Sequence, residues 1–150
     1  MMNFIYNMLG IGNNRINKVN FEDVQNFVKH KKDHHILINI LNINEQQCLI
    51  KGTLATNQEI SLINSNLKNL NLKIIIYAKN SNDNKLMDKY NQLLELGFIN
   101  VYIYPGGLFE WLLLQDIYGS EEFPTTIIEL DIIKYKPVSA FNNLLLADID

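Results

Sequence analysis

The stretch LGFINVYIYPGGLFEW, residues 96–111, decides the fold of this chain. Gly97 closes an apolar pattern of helical spacing, at the position where glycine commonly ends a helix. Val101–Tyr104 predicts a short strand, and Pro105-Gly106-Gly107 predicts a turn into a new helix from Leu108 to about Ile117. The stretch therefore predicts a helix, a strand and a helix in succession, as in an α/β domain.

The same alternation extends toward the amino terminus. Leu72–Tyr77 carries no alternating polar face, so we expect it to be a central strand covered on both sides. The helical patterns carry start signals, namely Asn20 as an N-cap and Thr56 with Glu59 as a capping box. The remaining predicted elements are helices over 21–31, 56–67 and 86–94, a strand over 36–41 and a short helix over 45–49. Strands that alternate with helices predict an α/β fold with a mainly parallel sheet.

Composition limits what the chain can be. Its 150 residues are enough for one domain, and 47% hydrophobic residues support a core. Thirteen basic and sixteen acidic side chains give a net charge of -3, which provides no electrostatic surface for nucleic acid. The single cysteine excludes an internal disulfide, and the apolar runs are shorter than the roughly 20 residues of a membrane span. We expect an intracellular, cytoplasmic domain with no secretory signal, no membrane span and no nucleic-acid partner.

Asparagine, isoleucine and lysine are abundant, and their codons are rich in A and T. This composition favours an A/T-rich genome as the source, such as that of a protist or a giant virus. In a giant virus, association with the virion would be one expected location.

The segment 96–111 resembles the closing segment of a rhodanese-like domain. In that family a helix ends at Gly-aromatic, a strand follows, and a Gly-Gly turn opens a helix that bears a Trp, here Trp111. The strand over 36–41 resembles the family's strand that ends in an acidic residue, and Cys48–Thr53 stands where the family has His-Ile-Pro-Gly-Ala. The segments 114–119 and 123–126 resemble a subset of such domains from protists and large DNA viruses.

The resemblance implies a rhodanese-like three-layer α/β fold, in which helices flank a mainly parallel central sheet. It divides the chain into an N-terminal head, 1–17, a rhodanese-like domain, 18–118, and a C-terminal extension, 119–150, that packs on the domain or on a partner. Independently of the family, Gly106 and Gly107 allow a tight turn from strand to helix, where a side chain would collide with backbone. Trp111 is expected to be a core anchor whose indole N–H needs a partner.

The resemblance also implies where chemistry should lie. Rhodanese-like sulfurtransferases carry a cysteine directly after the central strand, in a loop whose backbone amides stabilise a thiolate or persulfide. Here that position is Ala78, the loop lacks the usual glycine and arginine, and Asn39 replaces the family's acidic residue. A methyl group cannot carry a persulfide. The sequence therefore predicts a catalytically inactive rhodanese-like domain that serves as an interaction or structural module.

Alternatives remain open. Cys48 is the only thiol, and Ser81 is a hydroxyl within the loop, so either is a candidate nucleophile for a sulfurtransferase or another enzyme. Asp83 is the one possible base for Ser81 in the loop, but it is better explained as an N-cap for the next helix. The loop amides are also candidates to bind a small anion. The candidate anion-binding loop consists of Lys79, Asn80, Ser81, Asn82, Asp83 and Asn84.

Three histidines cluster after the first predicted helix. His30 and His34 are four residues apart and would share a face if the helix continued, as in some metal sites. Basic groups are also favourable at the end of a helix without a metal. We predict no metal and no cofactor, and we expect a protein partner, of which a second copy of the chain is the simplest case.

Overall fold

The computed structural model describes residues 15–141. Four α-helices and three strands alternate along this part of the chain, and two short 3₁₀ helices follow β1 and α4. In chain order they are α1 (Phe21–Lys29), β1 (His35–Asn39), 3₁₀ (Ile43–Glu45), α2 (Thr56–Ser65), β2 (Lys73–Tyr77), α3 (Lys85–Glu95), β3 (Asn100–Ile103), α4 (Gly107–Tyr118) and 3₁₀ (Ile132–Tyr135). None of these helices is long and apolar enough to cross a membrane.

The three strands form a parallel sheet in the order β1-β2-β3. Ile74 of β2 pairs with Ile36 of β1 on one side and with Val101 of β3 on the other. Single parallel bridges, from Lys18 to Ile103 and from Leu37 to Thr53, extend both edges of the sheet. The prediction of a parallel α/β sheet with residues 72–77 at its centre is confirmed.

Both faces of the sheet are buried, which explains the continuous apolar run of β2. Ile75 and Tyr77 lie in one core cluster, with side chains of α1, α4 and the C-terminal extension. Ile74 and Ile76 lie in a second cluster, with side chains of α2 and α3. Alternate residues of one strand thus belong to two separate cores, and the fold has three layers.

Two predicted local features are wrong, and tertiary contacts explain both. The N-cap of α2 is Ala55 rather than Thr56, and no side chain bonds to this cap; Glu59 instead forms an ion pair with Lys89 of α3. The predicted helix over 45–49 is reduced to the 3₁₀ turn at Ile43–Glu45. Its remaining residues do not continue as a helix because Leu49 exchanges hydrogen bonds with Thr126 of the C-terminal extension.

Other predicted termini are confirmed. Asn20 caps α1, since its side chain accepts from the Asp23 amide while the Asp23 carboxylate accepts from the Asn20 amide. Gly97 lies just beyond α3 with φ +101°, the left-handed region that glycine adopts without strain. Both features depend on residues only a few positions apart, so local sequence was sufficient to predict them.

The first part of the C-terminal extension lies on the same face of the sheet as α4. Trp111 is fully buried, and its indole N–H donates to the Pro124 carbonyl at 3.2 Å, as the expectation of a buried anchor required. Phe123 packs edge-on against Trp111, with ring centroids 5.0 Å apart, and Tyr135 is also buried. Further along, several apolar side chains are exposed, among them Leu130, which is 89% accessible.

Candidate functional site

The candidate site lies at the carboxyl end of β2, where loops of open parallel sheets commonly form binding sites. It comprises the β2–α3 loop, defined here as residues 78–84. Ala78 is fully buried, and its carbonyl accepts a hydrogen bond from the Leu108 amide at 3.0 Å. The Lys79 carbonyl accepts from the Phe109 amide at 2.8 Å. The start of the loop is therefore held against the first turn of α4.

Gly107 makes this close approach possible. Its φ is +66°, and a Cβ at this position would lie 2.5 Å from the Ala78 carbonyl oxygen and 3.1 Å from the Asn80 nitrogen. Any side chain here would therefore collide with the backbone of the loop. The prediction that a side chain in the Gly-Gly turn would collide with backbone is confirmed at Gly107. It is wrong at Gly106, where a Cβ would meet the Glu110 side chain instead.

Asn80 fills the interior of the loop, a role that the sequence analysis missed. Its side chain is buried, its Nδ2 donates to the Tyr135 carbonyl at 3.0 Å, and its Oδ1 accepts from the Asn82 amide at 2.9 Å. The loop is thus tied to the C-terminal extension across 55 positions of sequence. An asparagine after a buried strand was the available signal, but its partner could not be read from a pattern.

The remaining loop side chains face outward or pair locally. Ser81 is exposed and forms no hydrogen bond within the described part of the chain, so no base there activates its hydroxyl. Lys79 lies 3.5 Å from the Glu45 carboxylate. The Asp83 carboxylate accepts from the Lys85 amide at 3.0 Å and so satisfies one amide at the start of α3, while the N-cap position itself belongs to Asn84.

Cys48 lies on the other face of the sheet from Ala78. It is buried in the cluster that contains Tyr77, whereas Ala78 belongs to the cluster beneath α2 and α3. Its Sγ is 3.7 Å from the Ile127 carbonyl oxygen. Burial, and then the negative charge of Glu129, raise the pKa of this thiol. Both effects disfavour the thiolate, which is the nucleophilic form of cysteine.

Asn39 lies at the end of β1, where the resemblance places an acidic residue. It is buried and forms a reciprocal amide pair with Gln46, in which Asn39 Nδ2 donates to Gln46 Oε1 at 3.1 Å and Gln46 Nε2 donates to Asn39 Oδ1 at 2.9 Å. Asn39 Oδ1 also accepts from the Leu41 amide at 3.0 Å. A neutral pair therefore satisfies this position without a salt bridge.

The histidines do not share a helix face. α1 ends at Lys29 and His30 is its C-cap, so the continued helix that would align His30 with His34 does not form. His34 instead packs edge-on against His35, whose ring stacks on Phe27 with centroids 4.5 Å apart. Within residues 15–141, no group of three histidine, cysteine or acidic side chains is placed to hold a metal ion.

A parallel sheet between two helical layers, with a tight loop after its central strand and a Gly-Gly turn beside that loop, defines a class of α/β domains. The family model that describes the rhodanese-like domain matches residues 9–114. The chain therefore belongs to the rhodanese-like domain family, and its fold is the rhodanese-like α/β fold. Among curated proteins, none matches the chain.

Several known structures are similar to it in fold. A crystal structure of the Alr3790 protein from Anabaena sp. is 21% identical with a TM-score of 0.54, covering 87% of this chain and 93% of that one. A yeast protein tyrosine phosphatase of the rhodanese family is 12% identical with a TM-score of 0.51, covering 78% and 96%. The As-Sb reductase of Leishmania major is 12% identical with a TM-score of 0.54, covering 89% and 99%. At these identities the likeness concerns the fold.

Proposed function

We propose that this chain is a catalytically inactive rhodanese-like domain that acts as an interaction or structural module. The observation that carries the proposal is Ala78, a buried methyl group directly after the central strand, where the family's sulfurtransferases carry the nucleophilic cysteine. The buried Asn80 side chain accepts from the Asn82 amide and donates to the Tyr135 carbonyl, so it pairs one loop amide within the chain and ties the loop to the extension. Both features favour a retained fold without its chemistry.

The partner surface in this proposal is the outer side of the C-terminal extension and α4. Its side chains are large, apolar and exposed, which is unfavourable in water unless another molecule covers them. They are Ile117, Tyr118, Ile127, Ile128, Leu130 and Ile133, here named the extension patch. A second copy of the chain is the simplest partner, because a patch on both copies can pair with itself.

As part of the same proposal we expect the protein in the cytoplasm. A chain with one cysteine cannot form the internal disulfides that are typical of proteins in oxidising compartments. The abundance of residues whose codons are rich in A and T supports a protist or a giant virus as the source. In a virus, the module would be a candidate virion component.

The test is a sulfurtransferase assay on the full chain. The protein is incubated with thiosulfate, its intact mass is recorded, cyanide is added and thiocyanate release is followed, with an active cysteine-dependent rhodanese run in parallel. We expect no turnover and no added sulfur mass. Turnover, or one added sulfur atom, would overturn the proposal.

The alternative is an enzyme that uses Cys48, Ser81 or the loop as an anion site. The observation in its favour is Lys79, a cation at the loop whose only ion pair within residues 15–141 is a 3.5 Å contact with Glu45. If activity is found, Cys48→Ala and Ser81→Ala identify the nucleophile, since only one of the two variants should lose the adduct.

A further inference from the structure

A cavity lies at the opposite end of the sheet from the β2–α3 loop. It has a volume of about 520 Å³ and is formed between α1 and the sheet, where β1 and β2 begin. His35 and Lys73, the first residues of these strands, are direct partners in the parallel register and both line the cavity. We name this cavity the α1 groove. Its volume lies within the range of small-molecule sites.

Positive charge is concentrated at one end of the α1 groove. His30, Lys32, His35 and Lys73 line that end. Lys32 and Lys73 take part in no ion pair within residues 15–141, although the whole chain carries a net charge of -3. Burial lowers the pKa of His35, and the positive charges of His34, Lys73 and Lys32 lower the pKa further. The lowered pKa favours the neutral form of His35, so the positive charge at this end comes from Lys32 and Lys73. Neither lysine has a carboxylate partner within residues 15–141, and this favours an anion.

The middle of the groove is apolar and presents flat surfaces. Ile75 and Tyr102, which are partners in the register of β2 and β3, form its floor, and Val19 and Phe27 line its sides. Phe27 already stacks on the His35 ring. Such walls suit a planar ring, which can bury area against them and stack on an aromatic face.

The far end of the groove accepts hydrogen bonds. Asp23 and Asn26 line it from α1, and Asp23 is the only carboxylate among the described lining residues. One Asp23 oxygen accepts from the Asn20 amide, which holds the side chain in place. Asp23 and His30 are seven positions apart on α1, so at the helical rise the two ends of the groove are separated by about 10 Å.

We propose that the α1 groove binds a small organic phosphate whose planar ring carries a hydrogen-bond donor, with a nucleoside monophosphate as its model. The phosphate lies among Lys32, Lys73 and the two histidines, the ring lies against Phe27 and Tyr102, and the donor reaches Asp23. The β2–α3 loop takes no part in this site, so the inference does not rest on the proposed function.

The experiment is isothermal titration calorimetry of the full chain with four probes. They are AMP, purine riboside 5′-monophosphate, which lacks the amino donor, adenosine, which lacks the phosphate, and inorganic phosphate. We expect AMP to bind most tightly and each of the other three to bind at least several-fold more weakly. No heat with AMP at millimolar concentration would overturn the proposal, and so would inorganic phosphate that binds as tightly as AMP.

Charge-neutralising variants locate the site. Lys73→Gln and Lys32→Gln should each weaken AMP binding about tenfold, as expected for the loss of a charge-assisted hydrogen bond. Lys68→Gln, an exposed lysine after α2, and Lys79→Gln, in the β2–α3 loop, remove the same charge elsewhere and should leave the affinity unchanged. Circular dichroism confirms that each variant is folded. Loss of AMP binding in Lys79→Gln, with Lys73→Gln unaffected, would place the anion at the loop and overturn the proposal.

Discussion

Gly107 has both a left-handed backbone and a close backbone neighbour, and comparison with Gly52, which has only the left-handed backbone, separates the two effects. Gly107→Ala would meet both a left-handed φ and a Cβ only 2.5 Å from a backbone oxygen, whereas Gly52→Ala would meet a φ of +88° with no atom within 4 Å. We expect Gly52→Ala to lower the free energy of unfolding by roughly 1 kcal/mol and Gly107→Ala by about 3 kcal/mol or more. Urea denaturation of both variants measures the difference. Equal losses would mean that the loop moves aside without cost.

His35 should make stability depend on pH. Its pKa is lowered from 6.5 in the folded protein by burial and by neighbouring positive charge, so the unfolded chain binds a proton more readily. Within residues 15–141 its buried Nδ1 has no hydrogen-bond partner, and a second N–H on the charged ring would need one. Stability should therefore be retained above pH 6.5 and should fall as the pH drops below that value toward the folded pKa.

The measurement is the melting temperature between pH 5 and pH 7.5 for the wild type and for His35→Gln, with His30→Gln as a matched loss of an imidazole. The wild type and His30→Gln should lose stability on acidification more steeply than His35→Gln. Parallel curves for all three proteins would contradict this role of His35.

A cysteine introduced at position 78 should be inaccessible to solvent in the folded protein, because Ala78 is fully buried. In a Cys48→Ala background, Ala78→Cys places the only thiol of the chain at a fully buried position. We expect a thiol-specific disulfide reagent to label it slowly in native buffer and fast in urea, since access requires opening of the loop. Ala78→Ser in the same background, followed by circular dichroism, controls for the added volume. Fast labelling of the folded variant would mean that the loop is open to solvent.

Local sequence predicted the role of individual residues at this site better than it predicted their hydrogen-bond partners. The need for a glycine at position 107 and the alanine directly after β2 could both be predicted, because each depends on a few neighbouring positions. The bond from Asn80 to Tyr135 and the pairing of Asn39 with Gln46 were not visible. A hydrogen bond depends on distance in space, and a single sequence does not give that distance between segments.

At the scale of elements, the C-terminal extension changes the segment that precedes α2. The Thr126 hydroxyl accepts from the Leu49 amide at 3.0 Å and donates to the Gln47 carbonyl at 2.7 Å, and an antiparallel bridge joins Ile50 to Thr125. These bonds occupy the backbone that the predicted helix over 45–49 would have used. A periodic pattern therefore predicted a helix that long-range pairing overrides.

This pairing can be tested with an isosteric change. Thr126→Val removes the hydroxyl and leaves the buried Leu49 amide without its side-chain acceptor, so the free energy of unfolding should fall by about 1 kcal/mol. Thr126→Ser keeps the hydroxyl, so its free energy of unfolding should fall by much less. Denaturant titration compares the two variants. A Thr126→Val variant as stable as the wild type would mean that the hydrogen bonds of the hydroxyl do not stabilise the fold.

At the scale of the whole molecule, the extension patch should decide oligomeric state. Ile128→Asp and Leu130→Asp introduce a charge into the patch, and we expect each to convert a dimer to a monomer. Ile43→Asp, on an equally exposed isoleucine of the first 3₁₀ turn, should leave the dimer intact. Light scattering coupled to gel filtration measures the mass of each. A monomeric wild type would contradict the homodimer and leave a different protein as the partner.

The sequence by itself determined the alternation of helices and strands, the central position of β2, the glycines at the turns, the buried Trp111 and the absence of a thiol after β2. Each of these follows from periodicity or from a residue's own chemistry. Only the tertiary structure decided that Asn80 bonds to the extension and that the extension packs beside α4. It also decided that basic side chains from the segment after α1 and from two strands meet in one groove. Those features arise where distant segments pack together, and their free energy depends on that packing rather than on local sequence.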